Sequence, residues 1–122
     1  MSDLEVSAES VRELLKRGEA IFFLEVRRGA DKDLAVMKVR GALRLADDDV
    51  QNHLDEIPQE RKVVLYSTAP EDAPALAAAR MLRERGFADV QVVTGGFNAC
   101  RIAGIQVVET NEGKSMARLR GL

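Results

Sequence analysis

The chain has 122 residues, 46% of them hydrophobic and 31% charged, with a formal charge of −2 from 18 basic and 20 acidic residues. That length suits one domain with a genuine core. The charge balance excludes a broad field for nucleic acid or an anionic membrane, and no apolar run is long enough to span a bilayer. Aromatics make up only 4% and Trp is absent, so the core must be built from Val, Leu, Ile and Ala.

The first ten residues, MSDLEVSAES, are acidic and polar, without the basic and apolar regions of a signal peptide, and a cytoplasmic location is expected. Ser7 is placed to cap a helix from about Ala8 to Arg17, with Val11, Leu14 and Leu15 as its buried stripe and Gly18 as its stop. Residues 20–26, AIFFLEV, are apolar without alternation, the pattern of a strand covered on both faces. Residues 27–38 read as a polar loop. A short strand at 41–45 and an acid-capped helix from Asp47 to Leu54 follow, with Val50, Leu54 and Ile57 facing inward.

Residues 62–66, KVVLY, form a second buried strand. The next helix starts near Ala73, with Asp72 at its N-cap and Pro74 in its first turn, where a missing N–H is tolerated. Ala75, Leu76, Ala78, Ala79, Met81 and Leu82 make it apolar, Arg80, Arg83 and Arg85 suit its negative end, and Gly86 stops it. A strand at 90–93 leads through Thr94-Gly95-Gly96 to a short helix at 97–104 and an extended piece at 105–109. Residues 1–109 are therefore expected to form the domain and 110–122 a flexible tail.

Alternating strands and helices predict an α/β fold, a three-layer domain with a mainly parallel sheet of about five strands and helices on both faces. In such sheets ligands bind beyond the carboxyl ends of the strands. Three junctions converge there: Glu25-Val26-Arg27, the loop Ser67-Thr68-Ala69-Pro70-Glu71-Asp72, and Thr94-Gly95-Gly96. Glu25, Arg27, Gly95 and Gly96 are thus candidates for a pocket rim, with Arg28 and Arg40 as further basic neighbours or as ion-pair partners of Glu25. Cys100 is the one thiol, which excludes an internal disulfide and any multi-cysteine metal site. No metal and no cofactor are expected, because His53 is the one histidine and no ligand spacing surrounds it.

Those junctions resemble a single-domain rhodanese, a sulfurtransferase-type module, from about Val6 to Glu109. The run 21-IFFLEVR-27 is similar to the family's aliphatic strand ending in Asp-Val-Arg, with Glu25 for Asp. The segment 37-MKVRGA-42 keeps Val39, Gly41 and Ala42 of a Gly-His-Ile-Pro-Gly-Ala signature. The strand 63-VVLYS-67 matches one ending in Tyr-Cys except at its last residue, 82-LRERGF-87 matches a helix end, and 95-GGFNAC-100 matches Gly-Gly-Phe-x-x-Trp except at Cys100. The resemblance implies that position 67 is where the family's cysteine accepts sulfane sulfur as a persulfide.

Here that residue is Ser67. Sulfur transfer needs a thiolate, and oxygen forms no persulfide. A serine nucleophile needs a base, and His53 lies in a different segment; the Gly-x-Ser-x-Gly elbow of hydrolases is also absent. Glu71 and Asp72 add negative charge where the family cradles an anion, each opposing it by on the order of 1–4 kcal/mol at about 4 Å. The expected function is therefore a rhodanese-like domain inactive in sulfur transfer, serving binding or regulation, with an unknown protein partner or a small anion as ligand. The alternatives are sulfur transfer through Cys100 as a reactive thiol, or a natural chain with cysteine at position 67, Ala69 being then also exchanged. A redox or metal sensor is the third. Oligomeric state is open.

Overall fold

In a computed structural model of the chain, residues 4–28, 37–68 and 71–110 are described. The loop residues 29–36, Ala69 and Pro70, and the expected tail from 111 onward lie outside them; Thr110 is buried.

The strands form where branched and aromatic side chains run together. They are β1 (Glu5–Val6), β2 (Ile21–Arg27), β3 (Met37–Val39), β4 (Leu43–Ala46), β5 (Lys62–Ser67), β6 (Val90–Val93) and β7 (Val107–Glu109). The α-helices are α1 (Ala8–Lys16), α2 (Ala73–Glu84) and α3 (Gly96–Ile102). Five strands make one sheet in the order β1-β6-β5-β2-β4, all parallel. The sheet and its three helices are the expected α/β arrangement. Ser7 caps α1 as its position implies, its hydroxyl accepting the Ser10 N–H at 3.1 Å.

The two-residue period of the strands divides the core. Leu24, Val26, Val63, Leu65, Val90 and Val92 face α2 and a 3-10 segment at Val50–Glu56. Phe23, Val64, Tyr66 and Val93 face α1, α3 and β3. Both central strands are thus covered on both sides, which is why they read as unbroken apolar runs.

Four expectations need correction. Residues 27–38 are not all loop: Arg27 closes β2, and β3 pairs antiparallel with β7 as a separate two-stranded sheet. β3 is three residues long, too short to show a period. At the other end, the polar opening of the chain supplies β1 at the sheet edge, where its backbone bonds to β6 suffice. The expected helix at Asp47–Leu54 is the 3-10 segment, broken at His53 (φ −127°, ψ 23°). Its acidic residues do other work: Asp47 N–H donates to Arg27 O at 2.6 Å, and the Asp49 carboxylate accepts Asn52 Nδ2 at 2.8 Å and bonds His53 Nε2 at 3.0 Å. Finally, Asp72 stands at the N-cap of α2 but its side chain caps no amide there.

Candidate functional site

The parallel register sets Ser67 beside Val26 at the carboxyl edge of the sheet, and Thr68 N–H donates on to Val26 O at 3.4 Å. Ser67 belongs to β5 rather than to the loop, and it is 1% exposed. Its side chain shares the α2 side of the sheet with Val63 and Leu65. There its Oγ accepts the Ala75 N–H at 3.1 Å. Pro74 has no N–H, so Ala75 carries the next free amide of that first turn. The serine hydroxyl therefore does for α2 what the Asp72 side chain was expected to do.

Asp72 is turned across to the next junction, its Oδ2 accepting Gly95 N–H at 3.1 Å. Gly95 (φ 91°) and Gly96 (φ 64°) form the left-handed turn into α3. A Cβ on Gly96 would lie 2.5 Å from the Ser67 carbonyl oxygen, so the close approach of this turn to β5 admits glycine alone. Gly96 is buried and one of the two turn amides is already spent on Asp72, so Gly95-Gly96 is packing against the loop rather than an open rim. Outside, Glu71 forms an ion pair with Arg28, both about half-exposed.

Glu25 is not a rim residue. It is fully buried, on the face that β3 covers. Its strand neighbours are Arg44 on one side and Tyr66 on the other. Arg44 Nε donates to Glu25 Oε2, and Tyr66 Oη donates to Oε1 at 2.8 Å. Tyr66 Oη in turn accepts Val39 N–H at 3.0 Å, tying β3 to the central sheet. Burial first, and the Glu25 charge second, push the Tyr66 hydroxyl well above its ordinary value. Neither Arg27, Arg28 nor Arg40 pairs with Glu25, as the sequence had suggested; Arg44 does. The missed signal was register, since Arg44 lies directly opposite Glu25 only once β2 and β4 are aligned.

Arg27, at the end of β2, is half-buried. Its Nε and Nη1, together with Asp72 Oδ1, are buried without a hydrogen-bond partner among the described residues. Buried polar groups normally find partners.

Cys100 has no access to this edge. It is fully buried among Ala8, Val11, Tyr66 and Val93, and burial pushes its thiol up to about 12. Both speak against a reactive thiol, since burial disfavours the thiolate that would do the chemistry. His53 is held between Glu56 and Asp49 on the 3-10 segment. Both ring nitrogens are thus engaged away from Ser67, and among the described residues no base reaches the Ser67 hydroxyl. Among the described residues, no group of three His, Cys, Asp or Glu side chains is placed to hold a metal, and no helix is long and apolar enough to cross a membrane.

Residues 7–103 match the family model of the rhodanese-like domain. No curated protein matches the chain. Among solved structures, it is similar to the rhodanese-like domain of an Anabaena protein, at 22% identity and a TM-score of 0.71 over 93% of this chain and 84% of that one. A rhodanese-related protein from Thermoplasma volcanium gives 21% identity and a TM-score of 0.66, covering 85% of this chain and 96% of its own. A rhodanese-like domain protein from Staphylococcus aureus gives 16% and 0.67, covering 79% and 89%. At such identities these likenesses speak for the fold. The family model spans most of the chain and carries the assignment: this protein belongs to the rhodanese-like domain family.

Proposed function

We propose that this rhodanese-like domain does not transfer sulfur and works as a cytoplasmic binding or regulatory module. One observation carries the reading: the residue at the strand end is an alcohol, and its oxygen is occupied by the Ala75 amide at the start of α2. An atom buried as a structural acceptor is poorly placed to receive or hand on a sulfur atom. The unpartnered donors of Arg27 support a polar ligand at this edge, supplied by a protein partner or a small anion.

Incubation with thiosulfate and cyanide is the direct test. Thiocyanate production should equal that of a Ser67→Ala control, and production well above it sinks the proposal. A parallel Cys100→Ser variant separates the sulfurtransferase alternative, because activity lost with that thiol assigns the chemistry to Cys100. Affinity capture with the folded chain, compared with an Arg27→Gln variant, tests the binding role. Partners retained by the first and lost by the second support it.

A further inference from the structure

A cavity lies away from the Ser67 loop. Its walls come from the later half of α1 (Arg12, Leu15, Lys16), from Phe23 near the start of β2, and from the chain around β3 and after α3. These segments gather toward the amino ends of the strands, on the α1 and α3 face. Its volume is about 380 Å³, within the range of small-molecule pockets.

The lining has two kinds of surface. Leu15, Phe23, Val39 and Ile105 supply apolar wall, while Arg12, Lys16 and Arg40 supply three cations, and among the described residues no carboxylate lines the cavity. That runs against a chain whose net charge is −2. Two of the cations lie against the chain that follows α3. The Arg12 side chain lies across Gly104, with Nε 3.0 Å from where a Cβ would stand, and it has no hydrogen-bond or ion-pair partner among the described residues. Arg40 is fixed to Gln106 twice, by its N–H to Gln106 O at 3.0 Å and by Nη1 to Oε1 at 3.2 Å. Lys16 meets only Glu13, at 3.7 Å and well exposed, a contact of little strength.

From this we infer that the cavity binds a small amphipathic anion, a carboxylate carried on an aliphatic or aromatic body. The apolar part takes up the Leu15, Phe23 and Ile105 wall, and the carboxylate accepts from Arg12 and Arg40. Each such charge-assisted bond is stronger than a neutral one. The inference is independent of what the Ser67 edge does.

Titration of the full chain with octanoate, followed by amide NMR, tests it, with 1-octanol and inorganic phosphate as comparators. Octanoate should saturably shift the amides of Leu15, Phe23, Val39 and Ile105. Octanol should bind about tenfold more weakly, and phosphate should not compete. An Arg12→Gln/Arg40→Gln variant with an unchanged dispersed spectrum should also weaken octanoate binding about tenfold. Should that variant unfold, Lys16→Glu, at an exposed position, reverses one wall charge and should weaken binding likewise. Equal affinity for octanoate and octanol overturns the inference, as does unchanged binding by the charge variants or shifts confined to the Ser67 loop. Binding of an oligoglutamate peptide without binding of octanoate also overturns it, in favour of a peptide-docking face.

Discussion

Replacement of Glu25 by Ala probes the interior of the domain most sharply. The carboxylate is fully buried and touches three strands' worth of structure: it accepts from Arg44 and from Tyr66, and Tyr66 passes the connection to Val39. The Arg44 side chain is itself only 7% exposed. Removal of the carboxylate breaks a buried pair, at a cost of about 3–5 kcal/mol. A domain of this size has about 5–15 kcal/mol in all. With a urea dependence near 1.5 kcal/mol per M, the unfolding midpoint should fall by about 2–3 M. Far-UV circular dichroism across a urea series measures it. The double replacement Glu25→Leu/Arg44→Met removes both charges and should regain most of the loss, since apolar substitutes for a buried pair are often nearly neutral. A midpoint shift under about 0.5 M for Glu25→Ala, or a double variant less stable than the single, refutes the reasoning.

Ser67→Ala should lower stability by about 1–3 kcal/mol, because the Ala75 N–H loses its buried acceptor; thermal unfolding reads this directly. Gly96→Ala should cost at least about 2 kcal/mol, since the Cβ meets the Ser67 carbonyl at a positive φ, whereas Gly86→Ala, with open space around it, should cost about 1 kcal/mol. Comparable losses at the two sites would remove the argument for close approach. Cys100 should react with a thiol reagent only slowly under native conditions and rapidly in denaturant, as its burial and raised value require; fast native labelling contradicts the burial. The His53 clip should depend on pH. Its ring is raised above 6.5 chiefly by the bond to Glu56, so its contribution is complete below 6.5 and is lost as pH rises through the folded value. Asp49, lowered from 3.8 mainly by Asn52 and then His53, contributes above 3.8 and fades as pH falls through its folded value. The stability difference between the native chain and His53→Gln should therefore shrink on the alkaline side, and a difference that grows there is the wrong sign.

The large elements were legible because their patterns are long. β2 and β5 announced themselves as apolar runs, α1 showed its cap, and both α1 and α2 showed the glycine that follows them. What failed was decided by tertiary contacts. β1, at two residues, and β3, at three, have no internal signal and exist through their partners. Within the site, Ser67, Asp72, Gly95 and Gly96 do come together at the strand edge, as their junctions implied. Their bonds could not be read in advance: a cap site favours an Asp side chain in general, but here Gly95 N–H competes for Asp72 and Ser67 takes over the helix amide. Glu25 was misplaced for a simpler reason. A carboxylate in an apolar strand looks like an outward-facing residue until the arginine that neutralises it, nineteen positions away, is aligned with it.

The pairing of β3 with β7 joins residues 37–39 to residues 107–109. Synthesis must reach residue 109 before that ladder can close. Such distant pairings are entropically costly and slow to nucleate, so the α2 side of the sheet can consolidate first while the opposite layer waits. Once closed, the ladder holds β3 over the Glu25 carboxylate, with Val39 bonded to Tyr66 beneath it. Timing and wetting are thereby linked: a nascent chain lacking β7 would keep its buried charge pair in contact with water, and β7 would act as the seal that makes the interior dry.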